Sequence, residues 1–598
     1  MNCYKKDYPR PQFVRDQWED LNGEWAFAFD DENVGIAEKW YLGFDSDRSI
    51  KVPFSYETEI SGIGDETVHE NIWYQRKIGA DAEKLRDKRY ILHFEGCDYI
   101  CRVWVNGAFA GLHKGGYTRF SLDISEYLND GENLLVVKAE DSLSSQQPRG
   151  KQRWISESFE CWYVQTTGIW KSVWSEYVPE TSLARVKMTP DLTSFKLGIE
   201  FDLNLPSGAD AAGLTIETDV TFKGTKVTRV VTDVTNAYVK AWADMSMPYN
   251  RNHYYDGPVW TPETPDMYDI VFRLVKDGVV LDEVGSYAAM REIRIDGHSI
   301  LLNGKLLYQK LILNQSYWKE SHLTPPDEKA IVADIDATIA MGFNGLRLHQ
   351  KNEDERFYYW CDVKGMLVWC EAPSAYRFTD NATQEFLAEW LEQVRQNYNH
   401  PCIITWVPVN ESWGVNKVQV SRPQQHFTEA VYHATKMLDP TRPVIVNDGW
   451  VHTISDIITL HDYDGDGERI LERYGSEDPD HLMNGKVYFN RSYPVFAEGF
   501  EYKGQPVIIS EFGGIAINGE KGWGYGEKAG TAEEYRRRLE DIVSAMKKLK
   551  YCCGYCYTQL TDVQQEINGL MTTERKYKVA PEIVEKINKK PVNPMYKP

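Results

Sequence analysis

The chain has 598 residues, of which 42% are hydrophobic and 26% are charged, and this length suggests three or four domains rather than a single core. Its formal net charge of −22 disfavours a polyanionic partner such as nucleic acid. No apolar stretch approaches the roughly 20 residues that cross a bilayer, so we expect no membrane association.

The start of the chain and its cysteines bear on its compartment. The first ten residues contain two lysines and an arginine but no apolar run, so we see no secretion signal. The ten cysteines lie mostly inside strand-like or helical segments, which is typical of reduced core thiols. Cys553 and Cys556 have a C-x-x-C spacing without a second pair, which disfavours a metal or redox site. We therefore predict a cytoplasmic protein without a cofactor, and the sequence leaves a homo-oligomer open.

The sequence of residues 1–180 predicts an all-β region. Short alternating segments such as 89–95 and 101–105 are separated by turn signals, and Asn106-Gly107 is a strong hairpin turn. We predict a two-layer β-sandwich. The loop 146–154 breaks the pattern, because it is polar and basic and ends on Trp154. Such a loop suits a segment that reaches into a site, the alternative being a solvated loop.

Residues 181–292 alternate again between short strands and turns. The breaks fall at 206–208, 223–224 and 276–278. About 110 residues of such strands predict an immunoglobulin-like β-sandwich.

From residue 293 to residue 598, strand-like segments alternate with amphipathic helices. The predicted strands are 306–313, 345–349, 366–370, 402–409, 443–447, 457–460, 506–510 and 552–557. The predicted helices include 326–341, 383–398, 424–438 and 532–549. Eight strands over about 300 residues predict a (β/α)8 TIM barrel, whose active site would lie at the C-terminal ends of the strands.

Two of these strands end in a carboxylate. The run 402–409 is followed by Asn410 and Glu411, and the run 506–510 by Glu511. A carboxylate at the end of a buried strand is costly unless it is paired or used in chemistry. Two of them at one barrel mouth suggest cleavage of a glycosidic bond. The alternative is that each only caps its strand and meets a nearby arginine.

The chain resembles glycoside hydrolase family 2, the family of β-galactosidases, β-glucuronidases and β-mannosidases, over nearly its whole length. The motifs that carry the resemblance are Leu21-Asn22-Gly23-Glu24-Trp25, Gly168-Ile169-Trp170, Trp260-Thr261-Pro262-Glu263-Thr264-Pro265, Tyr287 with Arg291, Asn344-Gly345-Leu346-Arg347, Asn410-Glu411-Ser412 and Ser510-Glu511-Phe512-Gly513. The order and spacing of these motifs are more specific to the family than any single motif is. The resemblance implies a jelly-roll, an immunoglobulin-like domain and a catalytic barrel.

The same resemblance implies a role for each site residue. Glu411 is similar to the general acid/base and Glu511 to the nucleophile of a retaining mechanism, in which the carboxyl groups stand about 5–5.5 Å apart. Asn410 resembles the residue that binds the sugar 2-hydroxyl, and Tyr463 and Arg347 resemble the residues beside the nucleophile. His349 and Glu371 are expected to face the sugar. Candidate stacking platforms are Trp413, Trp523 and Tyr557, and the alternative for these aromatics is barrel packing.

Departures from the family pattern bear on the substrate. The Asn-x-Lys pair of the glucuronidases has no counterpart in 564–570, and the Asn484-Gly485-Lys486 triplet lies before the nucleophile. Trp162 stands where relatives have an aspartate that binds sugar hydroxyls. Uronic acids are therefore disfavoured. The Glu-x-His magnesium ligands of large β-galactosidases find no match after Glu371, and no metal is assigned.

We therefore expect a retaining exo-glycosidase of β-galactosidase type that acts on a terminal neutral sugar. A β-glucuronidase or an α-L-arabinosidase with the same mechanism is the alternative. A non-catalytic carbohydrate-binding protein is a further alternative, which the presence of both glutamates disfavours.

Overall fold

The computed structural model describes residues 5–208, 211–247, 255–484, 493–519 and 521–592. Along this part of the chain, two antiparallel strand-rich regions are followed by a parallel barrel with helices on its outside. Four short 3-10 helices lie in the first region, at Trp40–Leu42, Glu59–Ser61, Lys84–Arg86 and Ser125–Tyr127.

The first region is a sandwich of two antiparallel sheets. Its strands are β1 (Trp18–Asp20), β2 (Gly23–Phe29), β3 (Arg48–Val52), β4 (Asn71–Ala80), β5 (Lys88–Phe94), β6 (Cys97–Asp98), β7 (Ile100–Val105), β8 (Ala108–Lys114), β9 (Phe120–Asp123), β10 (Gly131–Glu140), β11 (Gly168–Ile169) and β12 (Val173–Pro179). The larger sheet has the order β3-β2-β4-β10-β7-β8 and the smaller one the order β1-β12-β5-β9. Trp25 and Tyr74 of the larger sheet share a core with Leu92 of the smaller, so the core lies between the two sheets.

The second region is a smaller antiparallel sandwich. Its strands are β13 (Ser182–Asp191), β14 (Lys196–Asn204), β15 (Leu214–Phe222), β16 (Thr225–Asp233), β17 (Tyr238–Asp244), β18 (Tyr268–Lys276) and β19 (Val279–Ala288). The two sheets have the orders β13-β14-β17 and β16-β15-β18-β19. Along β15 every second side chain is buried, as the period of a strand with one solvated face requires. The domain boundaries at 180 and 292 stay predictions.

The third region begins with a small antiparallel sheet and continues as a parallel barrel. The small sheet contains β20 (Ile293–Asp296), β21 (Ser299–Leu302) and β22 (Lys305–Leu306). The barrel strands are β23 (Gln309–Asn314), β24 (Gly345–Leu348), β25 (Leu367–Glu371), β26 (Ile403–Val407), β27 (Ile458–Asp462), β28 (Val507–Gly513) and β29 (Cys552–Thr558). The helices are α1 (Glu328–Ala340), α2 (Glu355–Lys364), α3 (Asp380–Asn397), α4 (Arg422–Leu438), α5 (Gly467–Tyr474), α6 (Pro479–Asn484), α7 (Ala532–Lys548) and α8 (Pro581–Lys589).

The parallel sheet runs in the order β26-β25-β24-β23-β29-β28-β27. The strands β24 to β29 are buried along their whole length, which explains their near-continuous apolar sequences. The fold class predicted from the sequence is therefore confirmed, with seven regular barrel strands in the described part of the chain.

The predicted strand at 443–447 was wrong as a regular strand. The segment does pair with β26, since Ile445 N donates to Trp406 O at 2.9 Å. On the side that faces β27, the amides of Val444 and Val446 donate to side chains instead of to the backbone of β27. Val444 N donates to Asp456 Oδ2 at 2.8 Å, and Val446 N donates to Ser455 Oγ at 3.0 Å. The barrel thus lacks a continuous backbone ladder between β26 and β27.

Several helices begin at side-chain caps, which explains their starting points. The Asp327 carboxylate accepts from Ala330 N at 2.8 Å, and Thr531 Oγ1 accepts from Glu534 N at 3.1 Å. In the ranges covered by the structure, no helix has both the length and the apolar character needed to span a bilayer. Nine of the ten cysteines are described and all nine are free thiols. A cytoplasmic location and a homo-oligomer stay predictions.

Candidate active site

One pocket lies at the C-terminal ends of the barrel strands. Both glutamates predicted from the sequence line it. The full lining is Lys151, Cys161, Leu313, Gln315, His349, Asn410, Glu411, Trp413, Tyr463, Glu511, Tyr525, Thr558 and Glu566.

Glu511 lies in β28 and is held by two hydrogen-bond donors. Arg347 Nη1 donates to its Oε1 at 2.8 Å, and the Tyr463 hydroxyl donates to its Oε2. Burial alone would raise the pKa of Glu511, but the charges of His461 and Arg347 outweigh it and lower this pKa to about 2. Glu511 is therefore ionised at neutral pH and fixed in orientation.

Arg347, at the end of β24, is fully buried among acidic side chains. Besides Glu511, its guanidinium contacts Glu371 Oε2 and Asp448 Oδ2, each at 2.7 Å. It also donates to Asn410 Oδ1 at 2.6 Å. A buried arginine with three carboxylates balances their charge and fixes their positions. The ion pairs of Arg347 with Glu371 and Asp448 and its contact with Glu511 therefore belong to one buried network.

Glu411 follows β26 in an unusual backbone conformation. Its φ is +48° and that of Ser412 is +58°, a left-handed region that non-glycine residues seldom adopt. Three hydrogen bonds hold this turn. Glu411 N donates to Asp448 O at 3.0 Å, Ser412 N donates to Asn447 Oδ1 at 2.8 Å, and Trp413 N donates to Asn410 O at 2.8 Å. The turn directs the Glu411 carboxylate, whose side chain is 16% exposed, into the pocket.

His461 in β27 connects the two glutamates. Its Nδ1 lies 2.8 Å from Glu411 Oε1 and 3.5 Å from Glu511 Oε2, and its Nε2 lies 2.8 Å from Asp448 Oδ2. Burial would lower the pKa of His461, but Glu511, Asp448 and Glu411 raise it to about 10. At neutral pH His461 is therefore an imidazolium whose two N–H groups donate to carboxylates.

Ligand atoms of Glu411, His461 and Glu511 lie within 4.8 Å of one another, a spacing that a metal ion could bridge. The donor set does not fit such an ion. The Nδ1 that would bind it carries the proton shared with Glu411, and the Arg347 guanidinium already neutralises Glu511. We therefore assign no metal to this group.

The loop 146–154 of the first region reaches the barrel, which is the first of the two alternatives that the sequence left open. The amides of Arg149 and Gly150 donate to Ser374 O at 3.0 and 3.2 Å. Gly150 has a φ of +57°, and a Cβ there would come within 2.3 Å of Gln350 O, so the close approach requires glycine. This docking brings the next residue, Lys151, into the pocket.

Asn410 and His349 lie where the sequence predicts. Asn410 is buried, and its Nδ2 has no hydrogen-bond partner among the residues the structure describes. This free donor at the pocket wall suits a sugar hydroxyl. His349 lines the pocket, and its Nδ1 lies 3.0 Å from Glu371 Oε1. Trp413 also lines the pocket.

Three predicted substrate contacts lie elsewhere. Glu371 does not face the sugar space, because it is fully buried against Arg347 behind the pocket. Tyr557 is a packing residue with no exposure, since neighbouring strand positions point to opposite faces and Thr558 is the one that meets the pocket. Trp523 binds Glu160 O at 2.8 Å outside the pocket.

Trp162 also lies outside the pocket lining. Its ring packs against Trp154 at 4.7 Å and against Trp413 at 5.6 Å between centroids. It therefore supports the pocket wall through Trp413 rather than facing the sugar. Of the Asn484-Gly485-Lys486 triplet, Gly485 and Lys486 lie outside the described residues.

Sequence reasoning missed part of the site. The pocket residues that it did not assign to the site are Lys151, Cys161, Leu313, Gln315, Tyr525, Thr558 and Glu566. His461 was also missed, although it stands two positions before Tyr463 and so on the same face of the strand. Tyr525 stacks in parallel on Tyr463 with 3.4 Å between ring centroids, a contact between distant segments that no local pattern marks.

Comparisons with known proteins agree with this architecture. Residues 18–175 match the family model for the sugar-binding domain of glycosyl hydrolases family 2, and residues 293–590 match that for its TIM barrel domain. A β-galactosidase of Thermoanaerobacter pseudethanolicus is 26% identical over 79% of this chain and 59% of its own length. A putative β-glucuronidase of Formosa agariphila is 24% identical over 73% of this chain and 52% of its own. The chain thus spans little more than half the length of these relatives.

Solved structures share the fold over almost the whole chain. A β-glucuronidase of Bifidobacterium dentium, complexed with coumarin-3-O-glucuronide, superposes with a TM-score of 0.78 at 19% identity and covers 97% of this chain and 98% of its own. An uncultured Clostridium β-glucuronidase gives a TM-score of 0.76 at 20% identity, over 96% and 99%. At this identity the likeness concerns the fold alone. Together with the two family models, it shows that the chain belongs to the glycosyl hydrolases of family 2.

Proposed function

We propose that the protein is a retaining exo-glycosidase in which Glu511 is the nucleophile and Glu411 the general acid/base. The observation that carries this proposal is the spacing of the two carboxylates, whose nearest oxygens lie within 4.8 Å in one pocket. Retaining enzymes hold their carboxyl groups about 5–5.5 Å apart, whereas inverting enzymes need about 6.5–9.5 Å to admit a water molecule.

In the first step, the ionised Glu511 attacks the anomeric carbon and forms a glycosyl ester while the glycosidic C–O bond breaks. Glu411 donates its proton to the departing oxygen. Because His461 occupies Oε1 of Glu411, the transferable proton belongs on Oε2. The free Nδ2 of Asn410 is placed to donate to a sugar hydroxyl as the transition state forms.

In the second step, Glu411 is ionised and takes a proton from water, which attacks the anomeric carbon and breaks the ester to Glu511. The imidazolium of His461 lies close to both glutamates, so it is near the charged one at each stage. Glu411 is ionised after the first step and Glu511 after the second. A fixed cation between them stabilises both stages without moving, which is electrostatic preorganisation.

For the sugar, we propose a terminal neutral residue of the β-galactoside type, with an α-L-arabinopyranoside as the related alternative. A β-glucuronidase is the second candidate. It is favoured by one observation, the ammonium of Lys151 in the pocket, and the carboxylate of Glu566 in the same lining opposes it.

A panel of p-nitrophenyl glycosides tests the proposal, with proton NMR of the first product formed. We expect hydrolysis of a β-galactoside or an α-L-arabinopyranoside with retention of the anomeric configuration. A product of inverted configuration would contradict the assigned mechanism. No hydrolysis of any sugar would favour a carbohydrate-binding protein.

A further inference from the structure

Two opposite charges in the pocket have no role in the reaction proposed above. Lys151 comes from the loop of the first region and Glu566 from the segment after β29. Both are almost completely buried, with 7% and 2% of their surface exposed. Buried charges are costly, so each needs partners that are either present in the protein or supplied by a ligand.

Lys151 lacks an anionic partner. In the described part of the chain, no carboxylate oxygen lies within the 4.0 Å of an ion pair from its Nζ. Its neighbours are the Cys161 thiol and the rings of Trp413 and Tyr163, whose centroids lie 5.4 and 5.6 Å from Nζ. Burial would lower the pKa of Lys151, but Cys161, Glu566 and Glu511 raise it, so the group is an ammonium. It has three N–H donors and no oxygen acceptor within reach.

Glu566 is anchored but retains acceptor capacity. Its Oε2 accepts from the Tyr163 hydroxyl and from Gln315 Nε2 at 3.4 Å, and its Oε1 accepts from Asn568 Nδ2 at 3.1 Å. A carboxylate offers about four lone-pair positions, so these contacts leave room for a further donor. Tyr163 lies between the two charges, since its ring faces Lys151 and its hydroxyl binds Glu566.

We propose that Lys151 and Glu566 bind hydroxyl groups of the sugar ring, and that this pair selects a neutral sugar. The inference rests on the proposed glycosidase function and adds the two residues that select its substrate class. A hydroxyl can donate to Glu566 and its neighbour can accept from Lys151, so a diol satisfies both groups at once.

A uronate satisfies only one of them. Its carboxylate would gain from Lys151 but would stand in the same pocket as the carboxylates of Glu566 and Glu511. Like charges at short range in a buried site oppose binding. The pair therefore explains how a site that contains the ammonium of Lys151 can still prefer an uncharged sugar.

The experiment compares Lys151→Met and Glu566→Gln with the wild-type enzyme. Both variants keep the approximate side-chain shape, and Glu157→Gln, an exposed residue of the neighbouring loop, is the matched control. Each enzyme is assayed with p-nitrophenyl β-D-galactoside, α-L-arabinopyranoside, β-D-glucuronide and the 3-, 4- and 6-deoxy-galactosides. Circular dichroism melting curves verify that the variants fold.

We expect each variant to lose roughly 10- to 100-fold in kcat/KM on the best neutral sugar, because a charge-assisted hydrogen bond is removed. On the deoxy sugar that lacks the bound hydroxyl, variant and wild type should be alike. In Glu566→Gln, hydrolysis of the glucuronide relative to the neutral sugar should increase. Glu157→Gln should match the wild type.

Two results would overturn the inference. One is wild-type kcat/KM on the neutral sugar in both folded variants. The other is a wild type that prefers the glucuronide and loses it selectively in Lys151→Met, which would make Lys151 a uronate-binding residue. In either case hydrolysis itself persists, whereas failure of the proposed function would appear as a wild type inactive on the entire panel.

Discussion

Nδ1 of His461 lies 2.8 Å from Oε1 of Glu411, and Nε2 of the same ring binds Asp448 at 2.8 Å. The ring is fully buried, so it cannot turn away from either carboxylate. The same Nδ1 also lies 3.5 Å from Oε2 of Glu511. The charge on this one side chain therefore affects both glutamates.

We predict that His461→Asn shifts the pH profile. The pKa of Glu511 is lowered to about 2 against the effect of burial, first by His461 and then by Arg347. Without the imidazolium this pKa rises, so Glu511 becomes protonated at a higher pH. The acidic limb of kcat/KM against pH should move to higher pH, with a loss of roughly 10- to 100-fold at neutral pH.

The control for this change is His426→Asn, because His426 is exposed on α4. Its profile should match that of the wild type. An unchanged acidic limb in a folded His461→Asn enzyme would mean that Arg347 alone sets the charge state of Glu511.

Glu511→Gln should abolish turnover and leave the fold intact. Glutamine keeps the shape of the side chain, and Arg347 keeps Glu371 and Asp448 as partners. Loss of the covalent route should raise the barrier by on the order of 5 kcal/mol or more. The measurement is kcat on the best aryl glycoside together with a melting curve, and Glu498→Gln, an exposed residue, is the control. Turnover near that of the wild type would refute the assignment of the nucleophile.

Glu411→Ala should behave differently. An aryl glycoside with a good leaving group needs little acid assistance, so Glu511 should still be glycosylated. Hydrolysis of the intermediate then becomes limiting, and azide should accelerate it by entering the space left by the carboxylate. The product, identified by NMR, should be a glycosyl azide of the same configuration as the substrate. An azide of inverted configuration would show that the two glutamates have been exchanged.

Neutral sugars should exceed uronic acids by about tenfold or more in kcat/KM, since an unpartnered buried hydroxyl or charge costs roughly 1–3 kcal/mol. Besides the missing Asn-x-Lys pair, the carboxylate of Glu566 in the pocket lining opposes the carboxylate of a uronic acid. Parallel assays on β-D-galactoside, α-L-arabinopyranoside and β-D-glucuronide measure the ranking. A glucuronide at the top of it would contradict this prediction.

The strands and the two glutamates could be predicted because local sequence determines them. β26 and β28 are buried on both faces, so their sequences are continuous apolar runs, and the polar residues that end them stand out. The segment 443–447 has the same apolar character, yet its outer partners are the side chains of Asp456 and Ser455. Amino-acid composition alone does not show whether such a segment pairs with side chains or with the backbone of a neighbouring strand.

Other parts of the site depend on contacts between distant segments. Lys151 enters the pocket because its loop docks on Ser374, more than 200 positions later in the chain. Tyr557 and Thr558 differ by one position in a strand, and the search for an aromatic stacking platform selected Tyr557, although Thr558 lines the pocket. Glu371 was misplaced because a carboxylate at a strand end can face the ligand or an arginine behind it.

The left-handed turn at Glu411 and Ser412 limits how far this enzyme can be made thermostable. Each non-glycine residue in that conformation costs roughly 1–3 kcal/mol, which glycine would largely remove. At 412, however, glycine would also lose the hydroxyl that accepts from Asn447 at 2.9 Å, and with it part of the support of the acid. Selection for heat resistance alone is therefore expected to favour substitutions at this turn that misplace the Glu411 carboxylate. Stability and activity would then conflict at a single turn.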